Sequence, residues 1–141
     1  MPTVLVDSNV LLDILIPDPK WEGWSSAALA EVADSSLLAI NPIIFAEVSV
    51  AFDRIEDLEA ALPAELEREA LPWDAAFLAG KALLAYRRRG GTRRTPLPDF
   101  YIGAHAAVYG HTLLTRDAKR YRSYFPAVSL IAPPDSSRAH S

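Results

Sequence analysis

Short apolar runs alternate with helical patterns along this chain, and this alternation constrains the fold more than any other feature. Buried strands are predicted for four runs rich in β-branched residues and leucine, at 3–6, 37–40, 112–115 and 128–131. An acidic helix that is interrupted near Pro63 is expected from about 55 to 69, followed by an edge strand or an extended piece at 70–72. Strands separated by helices indicate the α/β class, here a three-layer α/β/α arrangement with a mostly parallel central sheet.

Length and composition narrow the choices further. A chain of 141 residues predicts one domain, placed at 1–132, with a flexible tail at 133–141. The absence of cysteine excludes disulfides, thiolate catalysis and cysteine-ligated metals. The pattern predicts neither a signal peptide nor a membrane span, so a cytoplasmic protein is expected.

The net charge of −4 conceals an uneven distribution. Residues 1–86 have a balance of −11, whereas residues 87–122 carry nine basic side chains against only two acids. A basic stretch that contains two acids favours a polyanionic partner. The alternative is a solvated helix face that binds nothing.

Four acids occupy settings where an acid is costly. Asp7 directly follows the first strand, and Asp117 follows the strand that ends at Thr115. Asp99 lies in the first turn of a helix that has no other charge unless a histidine protonates, and Glu47 is the only charge in an otherwise apolar helix. A buried carboxylate without a partner costs several kcal/mol or takes up a proton. Ligand sites of parallel sheets lie beyond the carboxyl ends of the strands, so these acids are predicted to share one site.

A divalent cation would allow several converging carboxylates to stay ionised. Ligation by oxygen alone favours Mg²⁺ or Mn²⁺ over zinc, and such an ion can activate water for attack on a phosphate. Each acid also has a structural alternative: Asp7 and Asp117 could cap helices, and Asp99 could complement a helix dipole. A mid-helix acid such as Glu47 has no comparable role.

The motifs that contain these acids resemble those of the PIN domain family. The opening run Val4-Leu5-Val6-Asp7-Ser8-Asn9 resembles the first PIN motif, and Pro98-Asp99-Phe100 followed by Leu114-Thr115-Arg116-Asp117 resembles the closing pair. The resemblance spans residues 3–132, and its length and motif order are similar to VapC-type toxins of bacterial toxin–antitoxin pairs. It implies a magnesium-dependent endoribonuclease of PIN fold, often a homodimer, that is inhibited by a VapB-like antitoxin.

Site residues follow from the resemblance position by position. Asp7 and Asp99 match the principal metal ligands, Glu47 and Asp117 match the remaining acids, and Thr115 matches a hydroxyl residue before the last acid. The arginine-rich stretch 87–94 lies outside these motifs, so its role is inferred from charge alone. Phosphate contacts of the RNA are assigned to Arg87, Arg88, Arg89, Arg93, Arg94 and Arg116.

Other assignments are weaker. A phosphorelay receiver needs an acid pair after its first strand, and a haloacid-dehalogenase-type phosphatase needs an aspartate where Asn9 stands. A non-catalytic PIN module, and an RNA-processing PIN nuclease without an antitoxin, both stay open. His105 and His111 are expected to be packing or surface residues. Trp21 and Trp24 could stack on bases or sit in a partner groove, but core packing is the favoured expectation.

Overall fold

A computed structural model describes residues 1–134, so the predicted flexible tail lies outside the described residues except for its first two prolines. Five strands occur in this range: β1 (Thr3–Val6), β2 (Leu37–Ile40), β3 (Leu66–Arg68), β4 (Thr112–Leu114) and β5 (Leu130–Ile131). Seven helices cover the sheet: α1 (Ser8–Leu15), α2 (Glu22–Ser35), α3 (Pro42–Ser49), α4 (Ile55–Ala61), α5 (Trp73–Arg88), α6 (Pro98–Tyr109) and α7 (Lys119–Tyr124). The predicted α/β class with a mostly parallel sheet is confirmed.

The sheet has the order β3-β2-β1-β4-β5, and every neighbouring pair is parallel. Leu5 in the central strand is in register with Ala39 of β2 and Leu113 of β4. The chain leaves β1 toward β2 and β3, then returns to the other side of β1 for β4 and β5. Open α/β sheets bind ligands at such a switch in direction. The expected site is therefore the crevice where β1 and β4 end.

The helix interruption predicted near Pro63 is present, but the helix does not continue to 69 and the edge strand does not lie at 70–72. Helix α4 ends at Ala61 because Leu62 precedes Pro63 and adopts an extended backbone, as residues before proline prefer. The edge strand is β3 at Leu66–Arg68, where Leu66 pairs with Leu38 of β2, and not 70–72. Pro72 has no backbone N–H for a sheet and instead lies at the N-cap of α5.

Helices α6 and α7, which carry the site residues nearest the C-terminus, pack closely against each other. A Cβ added at Gly103 of α6 would lie 2.4 Å from the ring of Phe125, which directly follows α7. Only glycine permits this approach, since real Cβ atoms do not come so near another side chain. This contact packs α6, which carries Asp99, against the end of α7, which carries Tyr121.

None of the described helices has the length and apolarity needed to cross a bilayer.

Candidate active site

Asp7 lies at the centre of the site, between the ends of β1 and β4. Its backbone N–H donates to the carbonyl of Leu114 at 2.9 Å, which continues the pairing of the two strands. The side chain is 2% exposed. Its Oδ1 accepts from the backbone N–H of Ser8, and its Oδ2 accepts from the hydroxyls of Thr115 and Tyr121, each at 2.8 Å. Asp7 therefore caps α1 and also presents a desolvated carboxylate to the site.

The surroundings of Asp7 raise its pKa from 3.8 to about 6. Burial is the largest cause, and the hydroxyl donors Thr115 and Tyr121 only partly oppose it. The negative charges of Asp99 and Glu47 raise the pKa of Asp7 further. Near pH 7 the ionised form is thus present at an energetic cost. A cation bound here would offset that cost.

Glu47 projects from α3 toward the same place. The helix is capped by Asn41 and buries Ile44 and Val48, so its acid emerges from an apolar helix at a half-buried position. The Ser8 hydroxyl donates to Glu47 Oε1 at 2.9 Å and lies 3.5 Å from Asp7 Oδ1. Burial raises the pKa of Glu47, Ser8 partly lowers it, and Asp99 adds to the rise.

Asp99 approaches from the first turn of α6, which Pro98 begins. The Tyr121 hydroxyl lies 3.4 Å from Asp99 Oδ1, and Arg120 Nη1 lies 3.3 Å from Oδ2. Burial is the largest cause of a raised pKa for Asp99. The Arg120 guanidinium opposes that rise, and the negative charge of Asp117 adds to it. The same Tyr121 hydroxyl donates to Asp7 at 2.8 Å, so it lies between the two acids.

Asp117 stands at the exposed rim of the site, unlike the three inner acids. Its backbone N–H donates to Thr115 Oγ1 at 3.1 Å, and Asn9 Nδ2 donates to the same oxygen at 3.1 Å. Thr115 thus accepts from two groups while donating to Asp7. The structure brings Asp7, Glu47 and Asp99 together around Ser8 and Tyr121 and leaves Asp117 at the edge.

The arginines assigned to phosphate binding lie in different surroundings. Arg116 forms a two-point ion pair with buried Asp13, at 2.9 Å from Nε to Oδ2 and 3.1 Å from Nη2 to Oδ1. Arg89 lies over the ring of Tyr124 at 4.8 Å, and Arg87 lines a groove on the outer side of α5. Five of the arginines are exposed and form no ion pair with any residue of the described range: Arg87, Arg88, Arg89, Arg93 and Arg94.

Three contributors to the site were not found from the sequence. The first is Ser8, whose hydroxyl donates to Glu47 Oε1. Tyr121 and Arg120 lie on a short helix that the sequence predicted, but nothing in a single sequence shows which way they face.

A separate cluster joins Glu69 to both histidines. His105 Nε2 and His111 Nε2 lie 3.0 and 2.9 Å from Glu69 Oε1, close enough to resemble a metal site. Asn41 Oδ1 accepts from the backbone N–H of Ile44, so its Nδ2 donates to His105 Nδ1 at 2.9 Å. This leaves the proton of neutral His105 on Nε2, where it donates to Glu69 and blocks metal ligation. The cluster is a hydrogen-bonded support for α3, α6 and the end of β3.

The first testable prediction concerns Tyr121. Tyr121→Phe removes the hydroxyl that donates to Asp7 and borders Asp99, with little change in volume. Because partners that orient ligand carboxylates tune metal affinity, Mg²⁺ binding should weaken by about 10- to 100-fold. Titration calorimetry with MgCl₂ at pH 8 measures this. Tyr101→Phe on α6 is the matched control, and equal affinities in wild type, variant and control would contradict the prediction.

Comparisons with known proteins agree with this geometry. No curated protein matches the sequence. Solved structures similar in fold include VapBC2 from Rickettsia felis bound to a DNA fragment from its promoter (TM-score 0.70, 19% identity, 92% of this chain and 98% of that chain). Others are DNA-bound VapBC from Salmonella typhimurium (0.69, 18%, 94% and 98%) and a toxin–antitoxin complex from Klebsiella pneumoniae (0.63, 21%, 94% and 98%).

At such identities the structures show a shared fold, whereas the family follows from the sequence match. That match is to the PIN domain and extends over residues 4–125, which includes all four acids and the hydroxyls that hold them. This chain therefore belongs to the PIN domain family.

Proposed function

We propose that this protein is a Mg²⁺-dependent endoribonuclease of the VapC type, the toxin of a type II toxin–antitoxin pair. The observation that carries the proposal is the convergence of Asp7, Glu47 and Asp99, all with a raised pKa. Within the described range, Arg120 is the only basic side chain in an ion pair with any of the three. The cluster therefore has an excess of negative charge that the surrounding residues do not neutralise.

The donor set suits a hard divalent cation. All candidate ligand atoms are carboxylate oxygens, which Mg²⁺ and Mn²⁺ prefer. Asp7 and Asp99 would hold the ion, with Glu47 and Asp117 completing its surroundings or positioning water. When bound, such an ion lowers the pKa of water and neutralises charge that builds on a phosphate during substitution.

The protein's own residues would keep the acids ready for this reaction. Thr115 and Tyr121 hold Asp7 Oδ2, and Ser8 holds Glu47, so the carboxylates need not reorganise when substrate arrives. In the hydrolysis, a water oxygen bonds to phosphorus and the bond to one bridging ribose oxygen breaks. The proton lost by water passes to solvent or to a site carboxylate, and the leaving oxygen takes one up.

The assignment of partners has three supports. The similar solved structures include VapBC proteins and a toxin–antitoxin complex, which supports a VapB-like antitoxin for this chain. The homodimeric toxin is proposed from the resemblance to the PIN family alone. The Arg120 contact with Asp99 shows that a guanidinium fits beside these acids, and an antitoxin arginine inserted there would silence the site. The basic side chains of residues 87–122 support RNA as the polyanionic substrate.

Cleavage assays test the catalytic claim. A panel of structured and single-stranded RNAs is incubated with the protein in MgCl₂, in MnCl₂ and in EDTA. We expect cleavage with either ion and a loss of at least about 100-fold in EDTA, restored by excess MgCl₂. Equal cleavage in EDTA would overturn the metal mechanism. Mg²⁺ binding without cleavage of any RNA would instead favour the non-catalytic PIN module.

A further inference from the structure

A cavity of about 680 Å³ lies beside the acidic site, on the side of Asp117. Its volume falls within the range of roughly 300–1,000 Å³ that is typical of small-molecule sites. Besides Asp117, its charged lining residues are all basic: Lys20, Arg116, Lys119 and Arg122. A net positive cavity next to a cluster of carboxylates suits a substrate whose phosphates extend beyond the reacting one.

Trp21 forms one wall of this cavity and is positioned by its neighbours. Asp18 accepts the backbone N–H groups of Lys20 at 2.8 Å and Trp21 at 2.9 Å, which fixes the turn before α2. The Arg116 guanidinium lies 5.5 Å from the ring centroid and is itself held by Asp13. The indole is therefore oriented before any ligand binds.

The surroundings of Trp21 differ from those of the nearby tryptophan. Trp24 packs against the hydrophobic core, as the sequence predicted, but Trp21 does not belong to that cluster. Its ring is half-buried and has basic groups beside it, since Lys20 Nζ lies 5.2 Å from the ring centroid. An aromatic ring flanked by cations is the usual arrangement for single-stranded nucleic acid, with a base stacked on the ring and phosphates on the cations.

The cavity also connects to the acidic site through the backbone. Asp117 lines the cavity, and its N–H donates to Thr115, whose hydroxyl donates to Asp7. The rim of the cavity at Asp117 is thus two hydrogen bonds away from the Asp7 carboxylate.

We propose that this cavity is a nucleotide subsite. Trp21 stacks on the base of an unpaired nucleotide next to the scissile phosphate, and Lys119 and Arg122 bind the flanking phosphates. The subsite rests on the proposed nuclease function and adds a requirement to it: the RNA must be single-stranded next to the cut. The long side chain of Lys20 is exposed, so its ammonium group can move from the Trp21 ring to a phosphate when the base stacks.

Binding without cleavage tests the subsite. Fluorescein-labelled hexa-adenylate RNA is titrated with the full chain in EDTA, with anisotropy as the readout. Trp21→Ala should weaken binding by about 5- to 150-fold, and Trp21→Phe should retain most of the affinity because it keeps a stacking ring. Lys119→Ala should reduce the slope of log affinity against log salt by about one. The melting temperature of each variant shows that it is folded.

Matched controls use the same residue types on another surface. Trp73 on α5 is 91% exposed, and Lys81 lies in a groove on the same helix. Neither Trp73→Ala nor Lys81→Ala should change the affinity for hexa-adenylate. A blunt RNA duplex should lose little affinity with Trp21→Ala, because its bases are not free to stack.

The outcomes separate the subsite from the nuclease function. Unchanged affinity in both Trp21→Ala and Lys119→Ala, or no binding by wild type, would overturn the subsite even if Mg²⁺-dependent cleavage is observed. Trp21-dependent binding without any cleavage in MgCl₂ would support the subsite while the nuclease proposal fails.

Discussion

Asp7→Asn is expected to lower Mg²⁺-dependent RNA cleavage by about 10²- to 10³-fold and to stabilise the metal-free protein at pH 8. The catalytic loss follows because an amide supplies no negative charge for a cation and presents a donor where Oδ2 accepted. The stabilisation follows because the ionised carboxylate is buried among other acids. Opposite effects on activity and stability distinguish a functional acid from a structural one.

The pH dependence of stability has a definite sign. A group whose pKa is raised from 3.8 to about 6 on folding binds its proton more tightly in the folded state. The stability that folding gains from this tighter proton binding by Asp7 is fully present below about pH 4. It is lost as the pH rises to 6, and the stability does not change further above that pH. The loss corresponds to at most about 3 kcal/mol. Asn also weakens the contacts with Thr115 and Tyr121, so we expect a net gain of about 1–2 kcal/mol at pH 8.

Urea unfolding in EDTA at pH 4 and pH 8 measures this difference. The gain of Asp7→Asn over wild type should be clear at pH 8 and small at pH 4. Asp74→Asn, an exposed acid in the first turn of α5, is the matched control and should change neither activity nor stability by much. Asp99→Asn should lose activity to a similar extent but gain less stability, since Asp99 is paired with Arg120. Retained cleavage in both site variants would defeat the mechanism.

Most of the fold could be predicted because its strands and helices have strong local patterns. Val4, Leu5 and Val6 form an uninterrupted apolar run, as a strand buried on both faces requires. Strand β3 could not be predicted, because Glu67 and Arg68 make up most of it and no apolar alternation marks it. Its existence depends on pairing with β2, which only the folded chain shows.

The acids of the site could be predicted because each is anomalous in its own segment. The groups that hold them could not, since the contact between Tyr121 and Asp7 joins residues far apart in the chain. The same reason hid Asp13 as the partner of Arg116, whose place in the basic stretch 87–122 had indicated phosphate binding. The metal and RNA roles of all these residues stay predictions. For Arg116, a single substitution can show whether the side chain acts on protein stability or on RNA binding.

Arg116→Met is expected to destabilise the protein by about 3 kcal/mol, with a fall in melting temperature of about 6–12 °C. Asp13 is 2% exposed, and its carboxylate is held by Arg116 at two points and by the Ser25 hydroxyl at 2.7 Å. Removing the Arg116 guanidinium leaves the buried carboxylate of Asp13 with one neutral donor, the Ser25 hydroxyl. Arg116 itself is 31% exposed, which places the cost at the lower end for broken buried pairs.

A double-mutant cycle identifies the origin of this loss. Asp13→Asn combined with Arg116→Met removes the orphaned charge, so the pair should be more stable than Arg116→Met alone. Arg88→Met, an exposed arginine of α5, is the control and should leave the melting temperature within a degree or two. If Arg116→Met lowered RNA affinity without lowering stability, the ion pair would be dispensable and Arg116 would act on phosphate directly. If stability falls and the double variant recovers it, the main task of Arg116 is to hold Asp13, and with it the turn that positions Trp21.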